Sequence, residues 1–435
     1  MRYEINKEAL NTRPVPRWFK DAKFGIFIHW GLYSVPAYTE INDHLPGSGN
    51  EAEWYKRQIE EDGHPSQLFH RRTYGPNFRY EDFPSMFKAE LFDAEEWAKL
   101  FRRAGAKYIN ITSKHHDGFC LYPSSYAWRW NSVDLGPHRD ICMELREAMD
   151  RNDVKFGVYH SLLEFDHPLY VSDIDAFVKL HLHPMMKELI CKYEPWTLFT
   201  DGEWRYTAEQ WRATDFLAWL YNESPVKDVI VPNDRWGIGT RGNFGGNYTT
   251  EYGHLDVGKT VDDVPLDRPF EECRGIGRSF GLNRIETLDT YMSIEELLHI
   301  LCSTVARGGN LLLNVGPSAD GLIPVIQQER LLQIGQWLDV NGEAIYGSDM
   351  YIKGPQTDTY YTQKGDKVYA ILTKFPFGSA ILDKVPYSSD LKARLLACDA
   401  PITVRNHDGN AELCFPPINP DDMKCGWFYT VELTK

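Results

Sequence analysis

Five short apolar runs of this 435-residue chain end in side chains able to bind hydroxyls, move protons or ligate metals. The endings are His29-Trp30-Gly31, Lys114-His115-His116-Asp117, Tyr159-His160, Asp201-Gly202-Glu203-Trp204 and Asn233-Asp234-Arg235-Trp236. Asp201 directly follows WTLFT, which places a carboxylate at the end of an apolar strand. Such a carboxylate either caps the next loop or attacks a carbon. Retaining glycoside hydrolysis needs two carboxyl groups about 5–5.5 Å apart, one the nucleophile and the other an acid of raised pKa. Asp201 therefore needs a partner. Glu251 in NYTTEYG, Glu203, Glu271, Glu272 and Glu53 are candidates, and spacing alone does not choose among them.

Other chemistries are less well served. His29, His115, His116 and Asp117 are plausible metal ligands, but they form no HxH or HExxH pair and no Cys/His cluster, so neither metal nor cofactor is expected. On a strand, His115 and His116 point to opposite faces, so at most one meets the barrel axis unless the strand has already ended. Serine-triad and nucleotide chemistry are not expected.

The elements that must position these groups alternate along the chain. Apolar runs at 24–31, 108–116, 156–161, 196–202, 229–235 and 310–317 suit strands buried on both faces. Amphipathic stretches at 93–105, 139–152 and 293–309 carry acids first and, in the first, bases and a Gly stop last. This predicts an α/β fold, a (β/α)₈-like TIM barrel over 1–345. In such a barrel the polar endings gather at the C-terminal rim, where active sites form. After about residue 346 the pattern becomes alternating, with hairpin signals QKGD and HDGN. A small C-terminal antiparallel β-sandwich is expected over 346–435.

Composition narrows the partners. With 47 basic and 62 acidic residues the net charge is −15, which argues against nucleic acid. No run of 18 apolar residues exists, so no membrane span is expected. Eight cysteines without a CxxC pair read as free thiols. With no apolar leader visible, the expected location is cytoplasmic, or secreted or periplasmic had a signal been removed. A homo-oligomer is left open. The aromatic share of 14% suits a core, or a hydroxyl-rich ligand stacked on rings.

From Trp18 to Tyr346 the chain resembles the α-L-fucosidases of glycoside hydrolase family 29. The motifs include WFKDAKFGIFIHWGLYSVPAY, EWY, SKHHDGFCLYPS, FGVYHSLLEF, DGEW, YNESPVKDVIVPNDRWG, FEECRGIGRSFGLNR and ARGGNLLLNVGPSADGLIP. The resemblance implies a barrel followed by a β-sandwich, and metal-free, retaining, exo-acting release of terminal α-L-fucose from an oligosaccharide or glycoconjugate. It implies that Asp201 is the nucleophile. By the same resemblance His29, His115, His116, Tyr159 and Arg235 hold fucose hydroxyls or the nucleophile, and Glu53 and Trp54 reach into the pocket from a loop. Phe199 and Phe280 fall at aromatic positions, Phe280 against the C5-methyl side. Glu251 best fits the acid/base, with Glu271 as runner-up. The motif style favours the subgroup active on simple aryl fucosides. Two other readings remain, an inactive fucose-binding protein and a metal-dependent barrel hydrolase.

Overall fold

The computed structural model describes residues 2–41, 51–375 and 377–435. Eight parallel strands form the first unit: β1 (Phe24–Ile28), β2 (Tyr108–Lys114), β3 (Val158–Ser161), β4 (Thr197–Asp201), β5 (Val231–Pro232), β6 (Tyr248–Glu251), β7 (Phe270–Gly275) and β8 (Asn310–Val315). The sheet runs β5-β4-β3-β2-β1-β8-β7-β6. A backbone bond from Asn247 N–H to the Pro232 carbonyl, 3.1 Å, links its two ends and closes the barrel.

Among the described residues, six helices cover this barrel rather than eight: α1 (Ala94–Arg103), α2 (Ile141–Arg151), α3 (His183–Tyr193), α4 (Ala213–Asn222), α5 (Ile294–Ala306) and α6 (Val325–Asn341). Their ends follow local chemistry. Asp93 accepts from the Glu95 and Glu96 amides at the start of α1, whose last turn carries Arg102 and Arg103. Ser293 and Glu296 close a reciprocal capping box on α5. No α-helix joins β5 to β6. Between β6 and β7 a hairpin, His254–Asp256 with Lys259–Thr260, takes a helix's place.

The barrel interior is packed by Phe27, Tyr108, Tyr159, Phe199, Cys273 and Leu312, one layer above another. At its floor the helix Arg17–Ala22 brings in Phe19, whose carbonyl accepts from Asn310 Nδ2 at 2.7 Å.

The six expected runs all contain strands, but β6 and β7 were not among those runs. Their sequences, YTTE and FEECRG, carry buried polar residues instead of apolar ones. These groups satisfy one another: Thr250 Oγ1 donates to Glu272 Oε2 at 2.5 Å, and the Tyr108 hydroxyl donates to Glu271 Oε1 at 2.5 Å. A strand stabilised by paired polar groups leaves no hydrophobic pattern to read.

Beyond residue 346 the strands are antiparallel. They are β9 (Asp349–Met350), β10 (Thr359–Lys364), β11 (Lys367–Leu372), β12 (Ser379–Pro386), β13 (Lys392–Leu395), β14 (Thr403–His407), β15 (Asn410–Cys414) and β16 (Tyr429–Thr434). One sheet runs β9-β10-β11-β16-β13 and the other β12-β15-β14. Tyr361, Leu372, Leu382, Leu413, Val431 and Leu433 fill the space between them. Trp337 of α6 donates to the Phe428 carbonyl at 2.9 Å, tying this layer to the barrel helices. Among the described residues, no helix is long and apolar enough to cross a membrane. All eight cysteines are unpaired.

Candidate active site

The C-terminal ends of the strands open into a cleft of about 540 Å³. It is lined by His29, Glu53, Trp54, His115, His116 and Tyr159, and by Phe199, Asp201, Arg235, Glu251 and Phe280. All of these were expected from sequence. Long βα connections carry the groups that do not sit on strand ends: Glu53 and Trp54 come from a 3₁₀ turn, Ala52–Trp54.

Asp201 is the last residue of β4. Its Oδ1 accepts from the Gly202 amide at 2.7 Å and pairs with Arg235 Nη2. Its Oδ2 accepts from the Tyr159 hydroxyl at 2.9 Å. The turn needs glycine next, because Gly202 has φ +76° and a Cβ there would lie 2.6 Å from that of Leu163. Burial alone would push the Asp201 carboxyl up, but the Arg235 charge, His116 and these two donors outweigh it and bring it below the ordinary aspartate value. The group is therefore an anion at neutral pH.

Arg235 is the hub. Its buried guanidinium turns Nε to both oxygens of Glu203 (3.2 and 3.1 Å), Nη1 to Glu251 Oε2 (3.2 Å) and Nη2 to Asp201. Arg241 Nε also donates to Glu203, at 3.1 Å. Three carboxylates thus share two guanidinium groups, so the cluster favours holding one proton. Glu251 is where the balance points. Burial raises it most, Asp201 and Glu203 add to this, and Arg235 and Arg241 oppose without winning. One guanidinium thus touches both Asp201, through Nη2, and Glu251, through Nη1.

The imidazoles are neutral and oriented. Asn314 Nδ2 donates to the Phe280 carbonyl at 2.6 Å, which turns its Oδ1 to His29 Nδ1, 2.7 Å away. His29 therefore carries its proton on Nδ1 and offers Nε2 as an acceptor. Ser161 Oγ donates to the Leu163 carbonyl and accepts from His116 Nδ1 at 2.6 Å, which leaves His116 Nε2 an acceptor too. Burial drives His29 down to about 3 and His116 to about 4, and holds His115 well below its usual value. Such rings accept hydroxyl hydrogens without adding charge.

One wall is greasy. Phe280 stacks on His29 with centroids 4.7 Å apart, and Phe27 packs on Phe199 at 5.0 Å. Glu53 accepts from the Gly281 amide at 2.8 Å, and burial, with Glu51 beside it, holds its carboxyl well above the usual range. Trp54 and Trp204 stack at 5.9 Å beside His116.

Two sequence readings change. His115 and His116 both line the cleft, because β2 ends at Lys114 and strand alternation no longer applies. Glu271 does not line it. It shares the inner face of β7 with Cys273, which does, but sits two residues nearer the barrel floor, under the Tyr108 hydroxyl. Burial pushes it up to about 7. Glu203, weighed as a carboxylate partner, is the clamp on Arg235. Sequence reasoning missed Arg241, Glu51, Ile238 and Val257, which sit in irregular loops without a strand to announce them. It also missed the inward-facing Phe27 and Cys273.

The four supposed metal ligands are divided. Asp117 turns away to the Tyr80 hydroxyl (2.7 Å) and the Phe119 amide (3.0 Å), and His29 and His116 are engaged as above. Among the described residues, Glu164, His167 and His181 do bring ligand atoms within 4.8 Å of one another. There the Lys114 ammonium already holds Glu164 Oε1 at 2.6 Å, and His181 Nε2 reaches the same oxygen at 2.7 Å.

Comparison with known proteins bears on this arrangement. The α-L-fucosidase family model matches residues 1–343. The chain is 41% identical to a plasma alpha-L-fucosidase of Rattus norvegicus, covering 99% of this chain and 94% of that one. It is 40% identical to a tissue alpha-L-fucosidase of Homo sapiens, covering 100% and 92%. The Thermotoga maritima alpha-fucosidase in complex with a mechanism-based inhibitor superposes with a TM-score of 0.85 at 34% identity, covering both chains completely. The chain belongs to the α-L-fucosidase family. Its barrel, with a β-sandwich behind it, is the family's fold.

Proposed function

We propose that this α-L-fucosidase family member releases terminal α-L-fucose from a fucosylated oligosaccharide or glycoconjugate, with Asp201 as nucleophile and Glu251 as acid/base. The observation that carries the reading is the single buried guanidinium of Arg235 joining both carboxylates. In the first step an Asp201 oxygen forms a bond to the anomeric carbon as the glycosidic bond breaks. The departing oxygen takes the Glu251 proton and leaves as an alcohol. In the second, ionised Glu251 accepts a proton from water, whose oxygen attacks the anomeric carbon and frees Asp201. Two displacements return fucose in its starting configuration, as is general for family 29.

His29, His115 and His116 serve as hydroxyl partners in this reading, Tyr159 and Arg235 hold the nucleophile, and Glu53 and Trp54 close the pocket from the loop. Phe199 and Phe280 cover the apolar side. No metal or cofactor is invoked. Glu271 is not proposed as the acid, since it lies outside the cleft. The unpaired cysteines support the cytoplasm as the proposed compartment, and the proposed domain division stays at 345/346.

The test is hydrolysis of p-nitrophenyl α-L-fucoside, with proton NMR of the first anomer released. α-L-Fucose first is expected, and β-L-fucose first overturns the mechanism. Asp201→Gly should abolish turnover in a folded protein. For Glu251→Ala, azide should restore release of a good leaving group; rescue of Glu271→Ala instead would reassign the acid.

A further inference from the structure

Two aliphatic side chains stand exposed at the edge of the cleft nearest Glu251. Ile238 is 58% exposed and Val257 96%, yet both line the cleft. Val257 occupies the turn of the hairpin beside Gly258, a place usually given to polar residues. The hairpin does not need it for packing. Leu255, 2% exposed, anchors the hairpin against Tyr248, Val264 and Phe270. Ile238 is likewise held through its backbone, its amide donating to the Tyr206 carbonyl at 3.0 Å. Neither side chain is explained by the fold.

Their location is not arbitrary. Glu251 pairs across the hairpin's first turn with His254, so the strand bearing it runs straight into this rim. Arg241 fastens the two halves of the rim, with Nε on Glu203 at 3.1 Å and Nη1 toward the Leu255 carbonyl at 3.4 Å. The aromatic pair Trp54–Trp204 lies by His116 and Arg235. A group leaving with the Glu251 proton therefore departs beside a rim on which Ile238 and Val257 are the aliphatic side chains, among Arg241, His254 and Asp256.

We propose that Ile238 and Val257 form the leaving-group subsite, and that it takes a neutral leaving group presenting an apolar face, an aryl ring or the CH face of an uncharged sugar. This rests on the reading of Glu251 as the acid. Two aliphatic contacts without a stacking ring grip weakly, so the subsite tolerates many leaving groups and acts mainly on KM.

The test compares wild type with the I238S/V257S double variant on three substrates. α-L-Fucosyl fluoride has a one-atom leaving group, p-nitrophenyl α-L-fucoside carries an aryl ring, and α-L-fucosyl-galactose carries a neutral sugar. Both residues being exposed, the variant should unfold at the wild-type temperature. Its kcat/KM should fall roughly tenfold on the aryl and disaccharide substrates, chiefly through KM, and stay within about twofold on the fluoride. An equal fall on all three, or no fall on any, overturns the proposal; a fall on the aryl substrate alone overturns it for sugars. Failure of the underlying reading looks different: a folded Glu251→Ala enzyme would still cleave the disaccharide at the wild-type rate, although a sugar alcohol leaves only with the acid's proton.

Discussion

Replacing Arg235 by Gln tests the electrostatic design most directly. The guanidinium is 2% exposed and faces Asp201, Glu203 and Glu251, whose side chains are 14%, 3% and 20% exposed. Gln is neutral and cannot bridge them. Removing one partner of a buried ion pair costs about 3–5 kcal/mol, most of it from the carboxylates left behind. The variant should therefore unfold several degrees lower at pH 7. Asp201 is held below its ordinary value only because Arg235 and its other partners outweigh burial, so in the variant burial wins and the carboxyl rises. The acid limb of kcat/KM, where the nucleophile must be ionised, then moves to higher pH. Loss of one donor at the reacting centre lowers the rate about 10²–10³-fold. The stability difference should also narrow with acid. A depressed carboxyl contributes stability above its unfolded value, about 3.9, and loses it as pH falls through the folded one. The assays are thermal unfolding and pH–rate profiles on p-nitrophenyl α-L-fucoside. A folded Arg235→Gln enzyme whose acid limb has not moved would refute the argument, as would one as stable as wild type. Arg235→Lys should restore the limb in part but not the rate, because a point charge does not reproduce the fork.

Glu203→Gln removes a charge that helps hold the Glu251 proton, so the alkaline limb should shift to lower pH; an unmoved limb with only a lower rate would reduce Glu203 to packing. Phe280→Ala should lower the preference for α-L-fucosides over α-L-galactosides, which differ only by a hydroxyl at C6, by roughly 10–200-fold, read as the ratio of kcat/KM values, because one methyl-sized contact is worth about 1–3 kcal/mol. Glu271→Gln should leave the alkaline limb in place while costing about 1–3 kcal/mol in urea unfolding, since its carboxyl serves the Tyr108 hydroxyl at the barrel floor.

The alternation of apolar runs with capped amphipathic segments made the barrel legible in the sequence, and the polar endings of those runs pointed to its rim. Asp201 was legible for the same reason: a carboxylate that ends a buried strand has one place to go. The change of period after residue 346 showed the antiparallel sheets in advance, because side-chain alternation follows from the pleat itself. What the chain could not show was pairing across distance. β6 and β7 bury threonines and glutamates whose partners lie far away in sequence, such as Tyr108 for Glu271. The choice of Glu251 over Glu271 among the carboxylates depends on height within the barrel, and the joint reach of His115 and His116 depends on where β2 stops. The proton balance at Glu251 arises only when three carboxylates and two guanidinium groups from separate loops meet out of water. Local sequence sets backbone habit and burial, whereas a pKa and a tautomer are set by neighbours that only the closed barrel brings together.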